Sequence, residues 1–157
     1  MQNELTQRKY TRVMNAVAAG TTDQTSASVN MGSAGGSGGF TRVVFTALFG
    51  TLTANQVTSM RAQGSLDDGV VDAFSDLEGT LVGPMADDDD NQIMILEINR
   101  PRDEHKFIRV IIDRATANAV IDGVIAEQSN SRQMPVTQDA TTVMHAKTVA
   151  APAEGTP

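Results

Sequence analysis

The chain has 157 residues, no cysteine and no tryptophan, and carries 12 Lys and Arg against 19 Asp and Glu, a formal net charge of −7. That length fits one domain whose core needs neither a disulfide framework nor a thiolate metal site. The acidic balance repels a phosphate backbone, no apolar run reaches the roughly 18–20 residues that cross a bilayer, and the start MQNELTQRKY lacks the apolar core of a secretion signal. Nucleic acid and membrane are therefore not expected partners, and the chain is expected to be soluble and made in the cytoplasm.

Aromatic residues make up only 4% of the chain, so the expected core is built from small and β-branched side chains, which suit a pleated surface. From Arg8 to Gly20, Tyr10, Val13, Met14 and Val17 share a helix face, while alternation around Val13, Asn15 and Val17 suits a strand; the strand is preferred. Ala27, Val29 and Met31 alternate within a polar stretch and predict a short strand. Gly32 to Gly39, containing SAGGSGG, has the composition of a flexible loop. Phe40 to Leu52 (FTRVVFTALFGTL) predicts a central strand.

Thr53 followed by Gln56 resembles a capping box, so residues 53–62 read either as a short helix or as the approach to a strand. Gly64 to Asp76 is rich in aspartate and reads as a solvated excursion tacked down by Val71, Phe74 and Leu77. Leu81 and Val82 mark a brief strand. Gln92–Asn99 (QIMILEIN) and Lys106–Asp113 (KFIRVIID) flank a loop containing Pro101 and predict a hairpin. The first run is apolar on both faces, as expected of a central strand or of one covered by a neighbour, within the chain or in another subunit. Ala119–Glu127 repeats the pattern, with Gly123 suggesting a bulge. Gln133 to Pro157 holds three of the five prolines and reads as an extended arm with one edge strand at Thr141–Thr148. The expected architecture is all-β, a sandwich or barrel of about seven or eight short strands. Residues 1–130 would form the β-rich domain, with its Gly-rich loop at 32–39, and residues 131–157 a C-terminal arm.

Motifs for chemistry fail on spacing. After Gly39 come Phe40, Thr41 and Arg42 rather than the Lys-Ser/Thr of a phosphate-binding loop. Counted from Asp87, the sixth position of an EF-hand loop is Gln92 and the twelfth Ile98, where Gly and Glu are required. The run Asp87–Asp90 therefore reads as a solvated turn, with weak calcium binding at a subunit junction as the minor alternative. His105 and His145 sit in no nucleophile or metal-ligand motif, and an enzyme, a cofactor and a catalytic residue are not expected. Arg100, Arg102, Arg109 and Arg114 are interleaved with Glu97, Asp103, Glu104 and Asp113, which suggests ion pairing between strands or subunits. Met94 reads as core; Met134 and Met144, in the arm, suit adaptable contacts.

The strings MNAVAAGTTDQ, VVFTALFG, DRATANAVIDGVIAEQ, RQMPVTQDAT and APAEGT together resemble the small virion structural proteins of tailed bacteriophages, the head decoration or cement class. The resemblance implies a β-rich body in many copies on a capsid, binding the major capsid protein and itself as a trimer or dimer. A tail or head-to-tail connector component, or a host-surface or carbohydrate-binding module, are the alternatives. The residues expected to contact partners are Gly35, Gly36, Phe40, Arg100, Arg102, His105, Met134, Pro135, Val136 and Met144.

Overall fold

A computed structural model of the chain describes residues 4–32, 39–99 and 104–149. Gly35, Gly36, Arg100 and Arg102 lie outside the described residues. After a single helical turn, α1 (Glu4–Gln7), the chain is built from strands: β1 (Lys9–Met14), β2 (Val17–Gly20), β3 (Gln24–Thr25), β4 (Val29–Asn30), β5 (Arg42–Leu52), β6 (Val57–Ser65), β7 (Ser75–Asp76), β8 (Ile93–Asn99), β9 (Phe107–Ala115) and β10 (Ala119–Ser129). They form two antiparallel sheets. The first runs β1-β10-β5-β8, with β2 also on β10; the second runs β3-β9-β6-β7, with β4 also on β9.

β1 and β2 are two pieces of one strand on β10, and β3 and β4 are two pieces of one strand on β9. Counted that way, eight strands run 1-8-3-6 in one sheet and 2-7-4-5 in the other, which is the double Greek key of a jelly roll. The break between β3 and β4 falls at Ser26. Its hydroxyl accepts the Val110 N–H at 3.0 Å while its own N–H donates to the Val110 carbonyl.

Alternation along the long strands creates the core. β5 buries Val43, Phe45, Ala47 and Phe49 against Met60 and Ala62 of β6 and Ile108, Val110 and Ile112 of β9. On β10 the inward set changes parity at a bulge, from Ala119 and Ile121 to Val124, Ala126 and Gln128, because the register slips between Ile121 and Gly123. Gly123 is required there: its φ is +148°, and an added Cβ would lie 3.1 Å from the Met14 carbonyl oxygen.

Several expectations are corrected. β8 and β9 do not form a hairpin, since β8 pairs with β5 and β9 with β6, in opposite sheets. Each strand has an apolar row to hide, Met94 and Leu96 on one and Ile108, Val110 and Ile112 on the other, and facing across the core buries both rows. Residues 53–62 hold a tight turn and the start of β6, not a helix. The buried Gln56 amide donates to the Met85 and Ala86 carbonyls instead of capping Thr53, and Asn55 takes a left-handed φ of 66°. Leu81–Val82 makes a single bridge to Met60. Val71 does not tack its loop down but is 89% exposed. The Asp67 carboxylate there accepts the N–H groups of Val70, Val71 and Asp72, which turns the valines outward. Phe74 does pack, beneath the Arg109 guanidinium at 3.9 Å. Thr141–Thr148 forms no strand: Asp139 accepts both the N–H and the hydroxyl of Thr141, and its carbonyl accepts from Thr142 and Val143, closing a turn.

Candidate partner-binding cleft and outer face

β10 ends at Ser129, and the segment that follows returns along the open edge of β1. The Arg132 N–H donates to the Gly39 carbonyl at 3.1 Å, and the Val136 N–H to Thr6 at 2.8 Å. Gln138 then acts as a clasp. Its amide nitrogen donates to the carbonyls of Leu5 and Arg8, and its oxygen accepts the Tyr10 N–H at 3.0 Å. One amide side chain thus satisfies backbone groups of α1 and of the β1 edge, a role that glutamine fills because it carries both donors and an acceptor.

Between this segment and the body lies a cleft of about 410 Å³, lined by Lys9, Phe40, Ser131 and the run from Gln133 to Thr137. Four of the residues expected to contact partners, Phe40, Met134, Pro135 and Val136, come together here although Phe40 is almost a hundred positions away in sequence. Met134 is 54% exposed and also borders a smaller hollow with Arg8 and Arg42. A flexible thioether on a rim is suited to filling irregular gaps on a partner. Met144 does not join the cleft and is exposed in the arm, as is His145. His105 lies elsewhere, with its ring against Gly64, its Nδ1 buried without a hydrogen-bond partner among the described residues, and its Nε2 3.7 Å from Glu104.

The outer face of the first sheet was not singled out in the sequence. A chain of alternating charges crosses it: Glu4 with Arg8, Arg8 with Glu127 at 2.5 Å, Arg42 with Glu127 at 4.0 Å, and Arg42 with Glu97 at 2.7 Å. Hydrogen bonds from Arg42 and Asn99 hold the Glu97 carboxyl well below its ordinary value, at about 2. Beside this ladder the face is apolar. The registers place Ile125, Thr46 and Ile95 in one row and Leu48 with Ile93 in the next. Ile125, Ile93 and Ile95 are 40%, 51% and 53% exposed. Thr142 and Val143 of the arm border a groove of about 350 Å³ over Tyr10, Leu48 and Ile125. The one signal in the sequence was the double-sided apolarity of QIMILEIN.

Arg61, Arg109, Arg114 and three carboxylates of the acidic turn are used within the fold. Arg109 makes two hydrogen bonds to Gln63, and Arg61 pairs with Asp76 and Asp113. Arg114 is buried and donates to the carbonyls of Ala18, Thr22 and Ala119. In the acidic turn, Asp87, Asp89 and Asp90 accept the N–H groups of Asn55, Ala86 and Leu52 at 2.7, 2.6 and 2.6 Å. Asp87 and Asp90 thereby tie the turn to the end of β5 and the β5–β6 connection, while Asp89 closes the turn on itself. Among the described residues no three His, Cys, Asp or Glu side chains converge as a cation site.

The strand order and the clasped arm define the class as a jelly-roll β-sandwich with a C-terminal segment wrapped along one edge. Compared with known proteins, the chain matches no family model, no curated protein and no solved structure.

Proposed function

We propose that this chain is a phage capsid decoration protein, which binds the outer surface of the major capsid protein lattice and stabilises the shell through protein–protein contacts alone. The observation that carries the reading is the jelly-roll strand order with its clasped arm, an architecture shared by viral capsid domains. Fold bears on class only, so the residues must supply the mechanism. They do so in two places. The cleft of Phe40 and Met134–Val136 offers a neighbouring subunit a mainly polar pocket with an adaptable thioether at its rim, and the Ile93, Ile95 and Ile125 face offers apolar area. Repetition over a lattice lets weak individual contacts sum to a stable shell.

On this reading the protein is made in the host cytoplasm, ends in the virion, and has the major capsid protein and itself as partners. Purified particles are expected to contain it in fixed stoichiometry to the major capsid protein, and particles lacking it to rupture at lower temperature. Recovery with tail fractions alone would move the assignment to a tail or head-to-tail connector. The same strand order also occurs in lectin domains, which favours a carbohydrate- or host-surface-binding module as the second reading. Specific, saturable binding on a glycan array would select it.

A further inference from the structure

Sheet edges expose unpaired N–H and C=O groups and are normally blunted by shortness, bulges, charge or cover. Three of the four edges here are blunted. On the β1 edge the register breaks between Arg12 and Met14, and Gln138 covers Tyr10. In the second sheet, β7 has two residues, and β3 and β4 have two each. β8 differs: seven residues pair with β5 without a register shift, its sequence IMILEIN has no Pro, Gly or Lys, and among the described residues no strand lies on its other side.

The groups that face this open edge follow from the ladder. Phe49 N–H donates to Gln92 O in the same register that pairs Leu48 with Ile93. Hydrogen-bonded and non-hydrogen-bonded pairs alternate in an antiparallel ladder, so Met94, Leu96 and Ile98 bond to β5. Ile93, Ile95, Glu97 and Asn99 therefore direct their N–H and C=O groups outward, and their side chains lie on the outer face.

We propose that β8 pairs with β8 of a second copy of this chain, antiparallel about a two-fold axis at Leu96, joining the two first sheets into one continuous sheet. This register overlaps the whole strand. It faces Ile95 with Glu97 of the second copy and Ile93 with Asn99, and makes about eight inter-strand hydrogen bonds, two for each of four facing pairs. Charge permits this occupant: Glu97, the one ionised residue of β8, stands directly opposite an isoleucine, is only diagonal to its own copy, and is already matched by Arg42. Apolar continuity agrees. The Ile95 side chains become diagonal neighbours across the axis, so the half-exposed Ile93 and Ile95 of both copies form one stripe. The inference goes beyond the virion reading and does not rest on it.

The test is sedimentation of the full chain with hydrogen exchange of the β8 amides. A dimer is expected, with the Ile93, Ile95, Glu97 and Asn99 amides protected as well as the intervening ones. Ile95→Glu, which sets a carboxylate opposite Glu97 of the second copy in both halves of the interface, is expected to sediment as a folded monomer in which those four amides exchange on the order of tenfold or more faster. A wild-type monomer with those amides unprotected overturns the proposal. So does a dimer that leaves them unprotected, which would associate through another surface. Protection in a monomer also overturns it, since a segment of the same chain would then cover β8. The wild-type exchange pattern decides even if the variant does not fold.

Discussion

Arg114 shows how one residue joins the two sheets. It stands on β9, at 3% exposure, and its guanidinium reaches the carbonyls of Ala18, Thr22 and Ala119, which belong to β2, the following corner and the start of β10. Its own N–H donates to Asp23. Burial lowers the guanidinium's pKa and Asp23 opposes that shift, yet arginine stays charged at any working pH. Removing it strands the buried Ala119 carbonyl and takes a donor from the more exposed Ala18 and Thr22 carbonyls; a buried carbonyl left unsatisfied costs about 1–3 kcal/mol. Arg114→Leu is expected to lower unfolding free energy by about 3 kcal/mol in urea titration; a loss below about 1 kcal/mol would mean that water replaces the guanidinium.

At the scale of elements, the C-terminal segment is clasped onto the β1 edge by the side chain of Gln138. Past the corner at Gly39, the Val136 N–H and the Gln138 side chain supply its hydrogen bonds to α1 and β1. Such an element opens at a free energy below that of global unfolding. Gln138→Ala is expected to make residues 130–149 sensitive to limited proteolysis while the melting temperature of the sandwich falls by no more than a few degrees. An unchanged cleavage pattern would show that the clasp is redundant. If the cleft is the docking site, the same variant also weakens partner binding, because Met134–Val136 lose their placement opposite Phe40.

For the whole molecule, acid is the informative stress. Glu97 is held at about 2 by Arg42 and Asn99, Asp76 is held low by Gln63 and Arg61, and Asp139 by the Thr141 hydroxyl and N–H. Burial pushes Asp67 up, but the N–H groups of Asp72, Val71 and Val70 outweigh it and leave that carboxyl low as well. All four have folded values below their unfolded ones, so their stabilisation is complete above the unfolded carboxylate range and is lost as pH falls through the folded values. The melting temperature is expected to hold from about pH 7 to about 5 and to drop between about 4.5 and 2. Calorimetry across that window checks it, and a flat profile would remove these carboxylates from the stability of the fold.

Alternation and turn chemistry determined the fold class, because a strand's side-chain period of two is written in the residues themselves. It placed β5, β8, β9 and β10, along with the bulge at Gly123. The cleft was half legible: Phe40 and Met134–Val136 were named, but their meeting depends on β10 delivering the tail beside Gly39. Pairing could not be read locally. β8 and β9 look like a hairpin because they are adjacent, whereas a jelly roll sends them to opposite sheets so that both apolar rows meet in the core. Only the tertiary structure made β8 an edge, leaving the second apolar face of QIMILEIN turned outward on a face that no strand covers among the described residues.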